Sequence, residues 1–408
     1  SPYEGSDKQA IEDLEKLLLD CVRLRMISDV PLGAFLSGGI DSSTVVALMQ
    51  AQSKNPVKTF SIGFDVPGYD EAEHAKKVAN YLGTDHTEVY LSSQSALDVI
   101  PKIPDLYDEP FGDSSQIPTH LVSSIARKHV TVSLSGDGGD EFFGGYVRYH
   151  WGNSLWSKMS LLPGPAKKML AQSLRLLPAS FYDSMANLTG TLIPERWRTR
   201  HMGDKVHRLS EILEIPTRMD LYRRAVSFWD EKEDIVLNSK RIKTAHEFEN
   251  ESLTYPELMM LIDTLTYMSD DILTKVDRAS MGVSLEAREP LLDYRLFKFA
   301  SSLPLDMKIR HGKGKWILRQ VLYKYVPKEM IERPKMGFTV PVPEWLRGPL
   351  KEWAKDQLNE EKIKRDGYLN YSSLDKVWSE HELGTRDRSM VIWNALMFQA
   401  WKERFFQN

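Results

Sequence analysis

Val30 to Leu36 is an apolar run that breaks at Ser37-Gly38-Gly39-Ile40-Asp41-Ser42-Ser43, and the apolar stretch Thr44 to Met49 follows at once. That order reads as strand, glycine loop, helix. Three more strand signals come later, at Val57 to Phe64, Thr87 to Leu91 and His129 to Leu134. Helical segments separate them. Ala72, Ala75, Val78, Ala79 and Leu82 make one apolar face, with Asp70 as a cap and Gly83 as the stop; Gln116 to Lys128 reads as another helix. Strands alternating with helices predict an α/β fold, a parallel sheet flanked by helices on both faces. Ligands of such sheets bind at the carboxyl ends of strands, where the glycine loops lie.

Ser6 and Gln9 form a capping box, and Ile11, Leu14, Leu18 and Val22 follow at helical spacing. Cys21 lies beside that stripe and reads as core. From about Trp151 the strand signals fade and a mostly helical C-terminal region begins. Leu253 to Leu273 reads as a helix interrupted early by Pro256, and Asp387 to Phe406 as another, with Met390, Trp393, Asn394, Met397 and Trp401 along one side. No repeat or linker divides the chain, so residues 1–250 and 251–408 are expected to pack as one unit.

The loop Ser37 to Ser43 presents backbone N–H groups at a helix start, where unpaired donors and the helix dipole favour an anion. Gly38 and Gly39 let the backbone approach a ligand. Asp41 can hold a metal ion, so the expected ligand is a phosphate chain with magnesium. The string G-x-x-x-x-G-K-[ST] does not occur, and neither does G-x-G-x-x-G. The spelling S-G-G-x-D-S resembles the pyrophosphate loop of ATP pyrophosphatases, so residues 1–250 read as a nucleotide-binding region of that type. A second loop, Ser135-Gly136-Asp137-Gly138-Gly139-Asp140-Glu141, ends the strand at His129 to Leu134. Its carboxylates can hold magnesium or take protons; the plain alternative is a solvated acidic turn. The segment Asp270 to Asp293 mixes acids and bases with small and apolar residues, which suits a polar pocket for a charged substrate or a salt-bridged helix. Gly312-Lys313-Gly314-Lys315 puts lysines on a glycine turn before a helix, a source for the cation that the first loop lacks.

The net charge of −4 gives no polybasic bias, so nothing in the whole-chain balance points to nucleic acid or a membrane surface. No apolar run approaches a membrane span, and Ser1 to Gly5 is not read as a signal peptide. One cysteine fits a reducing cytoplasm.

Six motifs stand in order: V-P-L-G-A-F-L-S-G-G-I-D-S-S, L-S-G-D-G-G-D-E-F-F-G-G-Y, L-T-K-V-D-R-A-S-M, L-E-A-R-E-P-L-L-D, G-K-W-I-L-R and R-P-K-M-G-F. Together they resemble the synthetase domain of glutamine-hydrolysing asparagine synthetases over nearly the whole chain. The resemblance implies ATP and Mg2+ as cofactors. It implies that the aspartate carboxylate attacks the α-phosphate of ATP and that ammonia then displaces AMP. By the same resemblance Ser37, Gly38, Gly39, Asp41 and Ser42 cradle pyrophosphate, and Leu36 and Ile62 flank adenine. Ser135 and Gly136 line the nucleotide site, and Asp41 and Asp140 hold magnesium. Lys315 meets the departing phosphates. Asp137 stands where the family often has a proton-accepting glutamate one methylene longer, and Arg278 joins these two as a catalytic candidate. Lys275, Glu286, Arg288 and Asp293 are expected to bind the acceptor in residues 251–408. A homodimer is an allowed assembly.

Two departures accompany the resemblance. The family's glutaminase domain, with its N-terminal cysteine, is not read in this sequence, so a fragment of a longer enzyme or a stand-alone synthetase is expected, with ammonia free or from a glutaminase domain. Glu289 and Leu291 stand where many asparagine-forming members have valine and phenylalanine. The acceptor is therefore aspartate or another small carboxylate, such as a uronic acid in polysaccharide synthesis. A ring-closing synthetase of the β-lactam-forming kind and a non-catalytic binding module stay open beside it.

Overall fold

The computed structural model describes residues 2–64, 72–177, 181, 182, 184, 185, 202–229, 233–240, 244–248, 250, 252–332 and 340–406. The Asp70 cap and the Arg333 to Phe338 motif fall outside them. The chain forms two compact units, and both are discontinuous in sequence. The first comprises Ser1–Tyr149, Asn250–Pro341 and Met397–Asn408; the second comprises His150–Glu249 and Val342–Leu396.

The first unit holds the sheet. Its strands are β1 (Leu32–Phe35), β2 (Lys58–Phe64), β3 (Asp85–Leu91), β4 (Val132–Leu134) and β5 (Glu286–Arg288). They run in the order β3-β2-β1-β4-β5, all parallel. Gly33 pairs with Lys58 on one side and with Ser133 on the other. The sheet grows outward from β1 in both directions, so the chain's direction of winding reverses between β1 and β4. Crevices at such reversals, beyond the strand carboxyl ends, take ligands.

Helix α1 (Asp7–Arg25) starts where the sequence predicts, with Ser6 Oγ accepting from the Gln9 amide at 3.3 Å. It buries Ala10, Leu14, Leu18 and Val22. Helix α2 (Ile40–Gln52) is buried from Ser42 to Met49, as a helix held between sheet and neighbouring helices must be. Helix α3 (Ala72–Leu82) buries Ala72, Ala75, Val78 and Ala79 and stops at Gly83, whose φ is +70°. One core joins these three helices to Leu134, Phe143, Leu291, Ile317 and Leu318.

Two readings of the chain change. Pro256 does not interrupt a helix; it lies in the first turn of Tyr255–Leu265, where its missing N–H costs nothing, and Thr254 with Glu257 closes a capping box just before it. The helical reading to Leu273 gives way to a π-helix, Tyr267–Leu273, followed by the α-helix Thr274–Met281. Strand β5 carries no alternating apolar pattern, because it is a three-residue edge strand.

In the second unit, Gly164–Arg175 and Met202–Leu213 enclose a small core of Met159, Ala171 and Leu213. Val236 and Leu369 form an antiparallel bridge there.

Candidate active site

The site forms where three glycine-bearing loops meet in the first unit. The loop after β1 turns at Gly38, at φ +70°, and a Cβ there would meet the Ala75 amide nitrogen at 2.9 Å. The Ser37 amide donates to Ser42 Oγ at 3.2 Å, and the Gly39 amide donates to Ser37 Oγ at 3.3 Å. Gly39 caps α2 without any side-chain hydrogen bond. Helix starts of this kind favour an anion.

The loop after β4 lies directly against that terminus. A Cβ on Gly136 would come within 2.6 Å of the Ser42 nitrogen and 2.9 Å of the Asp41 carbonyl carbon. A Cβ on Gly139 would fall on the Asp41 carboxylate. Only glycines allow this approach. The third loop brings Gly314 against the Gly144 carbonyl and sets Lys315 in the left-handed region, at φ +57°. Its amide donates to the Phe143 carbonyl at 2.9 Å. That conformation is costly for lysine, and such strain collects at functional sites.

Lys315 then reaches between two acids. Its Nζ lies 2.8 Å from Asp140 Oδ1 and also contacts Asp41 Oδ2. Burial alone would lower its pKa, but Asp140 and Asp41 outweigh that and hold it above the ordinary lysine range. Two carboxylates from different loops therefore converge on one cationic point. Among the described residues no group of three or more His, Cys, Asp or Glu is placed to hold a metal. Magnesium is commonly bound by one or two carboxylates with substrate phosphates completing its shell, and the Asp41 and Asp140 donor set fits that pattern.

Asp137, in the same loop, is pushed up by burial, and Lys275 partly offsets the shift. Lys275 is itself 9% exposed and pairs with Asp113 at 2.8 Å. Asp113 also accepts from the Ser115 amide at 2.9 Å and from Ser115 Oγ at 2.6 Å. Burial and then Asp113 push Asp271, on the π-helix, up to about 7. Single π turns are frequent at functional sites. Burial and then Asp137 likewise push Glu289 up to about 7.

The structure thus brings together Asp41, Asp140, Asp137, Lys315 and Lys275. Leu36 and Ile62 are buried, and the Leu36 amide donates to the Phe60 carbonyl at 2.9 Å. Ser135, 4% exposed, accepts from the Asp137 amide at 3.5 Å. Other candidates have structural partners. Arg278 pairs with Asp108 at 2.8 Å and with Asp277 at 3.0 Å. Arg288 pairs with the exposed Glu286 at 2.6 Å and donates to the Arg25 and Ile27 carbonyls. Asp293 caps the helix Tyr294–Ser302 and pairs with Arg295 at 2.9 Å.

The sequence reading did not single out Asp113 or Asp271. The signal for Asp113 was an acid followed by two serines just ahead of a helix. It also passed over a support beneath the acidic loop. Tyr146 Oη donates to Glu141 Oε1 at 2.6 Å, and Arg148 lies 3.9 Å from the centre of the Tyr146 ring. Arg148 pairs in turn with the fully buried Asp263 at 2.7 Å.

Comparison with known proteins bears on this geometry. The family model described as asparagine synthase matches residues 13–403. Glutamine-hydrolysing asparagine synthetase 1 of Bacillus subtilis (strain 168) is 32% identical over 98% of this chain and 60% of its own length. A putative glutamine-hydrolysing asparagine synthetase of Mycobacterium bovis is 33% identical over 100% of this chain and 60% of its own length. The amidase chyE of Penicillium rubens is 23% identical over 91% of this chain and 58% of its own length. The chain therefore spans about three fifths of the length of these relatives.

Proposed function

The chain belongs to the asparagine synthase family, and from that premise we propose that it forms an amide from a carboxylate and ammonia at the expense of ATP, releasing AMP and pyrophosphate. The observation that carries this reading is the Lys315 ammonium held by Asp41 and Asp140 beside the uncapped start of α2. In this reading residues 1–250 supply the nucleotide loops, and residues 251–408 supply Lys315 and the acceptor's charged partner, Lys275.

The α2 amides, with Ser37 and Ser42, hold the phosphates. Asp41 and Asp140 would hold magnesium, which when bound would supply charge neutralisation for the phosphates. Lys315 is positioned to leave the two acids for the departing pyrophosphate, where a preorganised cation acts strongly in a water-poor site. Asp137 lies within the field of Lys275, Asp140 and Lys315 and is the group assigned in this reading to take a proton from attacking ammonia. A cytoplasmic setting would suit a reaction that consumes ATP.

Aspartate is the first acceptor proposed. Glu289 favours a second reading. It adds an acid beside Asp137, which opposes an acceptor carrying a second free carboxylate and suits one whose other groups are hydroxyls, as in a uronic acid. The test is pyrophosphate release from Mg-ATP and ammonium chloride with aspartate or a panel of other carboxylic acids. Pyrophosphate with asparagine supports the first reading, and pyrophosphate with another acid alone supports the second. ADP and phosphate as the products would refute both.

A further inference from the structure

The second unit has a cavity of its own, about 340 Å³, toward the lower end of the range for small-molecule sites. It shares no residue with the loops after β1 and β4. The helix Met202–Leu213 contributes Arg208 and Glu211, and the helix Arg218–Val226 contributes Arg224. The segment leading into the helix Ser389–Phe405 contributes Arg386, Asp387 and Arg388. Arginines thus outnumber acids on its wall.

These arginines are not held alike. Arg388 is buried and already neutralised: Glu233 pairs with it, and Glu380 lies 3.5 Å from its Nε. Arg224 and Arg386 both approach Glu211, at 3.7 and 4.0 Å. Those separations exceed hydrogen-bond distance, so two cations share one carboxylate loosely. Among the described residues, Arg208 has no ion pair, and no side-chain hydrogen bond is made by Arg208, Arg224 or Arg386. Asp387 is engaged by the Ser389 amide at 3.0 Å and lies 3.6 Å from His381. Guanidinium forks with open donors on one cavity suit phosphate or carboxylate oxygens. The same wall carries two large rings. Trp151 is 46% exposed and Phe228 is 50% exposed. An inorganic anion would leave both rings in water, whereas a ligand with a flat ring can stack on them.

We propose that this cavity binds a nucleoside monophosphate, with its phosphate on Arg208, Arg224 and Arg386 and its base against Trp151 or Phe228. With Arg388 assigned to its own acids, three cations of the wall face Glu211 and Asp387. That excess suits one phosphate and is too small for a triphosphate. Glu211 competes with the phosphate for Arg224 and Arg386, and its contacts are long enough to be exchanged for a fork–fork pair.

The test is equilibrium dialysis of the 408-residue chain with labelled AMP, using adenosine and inorganic phosphate as competitors. AMP should bind, and each competitor should be at least about tenfold weaker, since each keeps only half of the contacts. Arg224→Ala with Arg386→Ala should weaken AMP binding by about thirtyfold or more, and Trp151→Ala with Phe228→Ala by about tenfold. Glu211→Gln should tighten it by about threefold to tenfold, a gain that loss of structure does not produce. Asp41→Ala, in the first unit, should keep it. Unchanged circular dichroism shows that each variant is folded. The arginine pair should release pyrophosphate at the wild-type rate, so a wild-type chain that releases none would sink the amide-forming reading and leave this binding in place. No AMP bound at about 1 mM overturns the proposal, as does binding undiminished by the arginine pair. Binding lost in Asp41→Ala and kept in the arginine pair assigns AMP to the first unit's loops and also overturns it.

Discussion

Lys315→Met keeps the length of the side chain and deletes its ammonium. Nζ now lies 2.8 Å from Asp140 Oδ1 and contacts Asp41 Oδ2. Removing one partner of a buried ion pair costs about 3–5 kcal/mol, because the remaining charge is stranded. Here two carboxylates are stranded, but each side chain is 17% exposed, so water recovers part of the cost. The expected loss is therefore at the lower end, about 3 kcal/mol. The lysine's folded pKa lies above its unfolded value, so its contribution is complete at pH 7 and is lost only as pH rises through the folded value. Urea denaturation at pH 7 measures the loss. The same variant should lower kcat for pyrophosphate release by about 10²–10³, the usual effect of removing one preorganised group that stabilises charge. Lys315→Arg separates the two effects: it keeps the charge and most of the stability, yet a planar guanidinium cannot reproduce a point charge between two acids. A Lys315→Met protein that is as stable as wild type, or that releases pyrophosphate at a rate within about threefold of it, refutes the reasoning.

Glu289→Gln should flatten the pH dependence of stability. Glu289 holds its proton up to about 7 when folded, against 4.5 otherwise, so wild-type stability falls as pH rises from about 4.5 to 7. The variant should gain at most about 3 kcal/mol at pH 8, less for a half-buried side chain, and nothing below pH 4.5; equal slopes from denaturation at pH 5 to 8 would count against it. Asp293 behaves oppositely. Its carboxyl is held at about 2 by hydrogen bonds from Arg295, so Asp293→Asn should destabilise at pH 7 and match wild type once pH falls to about 2. Gly136→Ala should cost about 1–3 kcal/mol and most of the activity, since its Cβ would meet backbone at Ser42 that cannot rotate away. Asp263→Asn should cost about 3–5 kcal/mol in denaturation, because it strands the Arg148 guanidinium and weakens the Tyr149 hydroxyl contact at 2.6 Å.

The sheet was legible because its central strands announce themselves. β1, β2 and β4 follow apolar runs, and β1 and β4 end in glycine loops. β5 was not legible, since an edge strand of three residues with Glu286 and Arg288 has no buried face to pattern. The two glycine loops were legible because glycine has few other reasons to cluster at strand ends. The charged stretch after them was less so. Charge density drew attention to the whole stretch from Asp270 to Asp293, but which charges meet is decided in three dimensions. Lys275 turns to Asp113, which is 162 residues earlier in the chain, while Arg288 turns to the carbonyls of Arg25 and Ile27. No local pattern separates those two fates.

The order of charges in the first unit suggests why the site needs its glycines. Asp41, Lys315, Asp140, Asp137, Lys275, Asp113 and Asp271 form one series in which each lysine is flanked by acids. Buried charges are tolerated only at short range, where Coulomb attraction offsets lost hydration. Short range here requires the loops after β1 and β4, and the turn at Gly314, to touch backbone to backbone. Gly136, Gly139, Gly145 and Gly314 each sit where a single Cβ would collide with Asp41, Asp140, Lys315 or the chain beside them. The glycines therefore set the charge spacing, and the charge spacing keeps Lys315 in an unfavourable left-handed conformation. If that coupling is real, Gly139→Ala and Lys315→Met should be non-additive, because each undoes the same convergence. A double-mutant cycle in urea should show an interaction of about 1–3 kcal/mol, and strict additivity would mean that loop packing and charge pairing are independent.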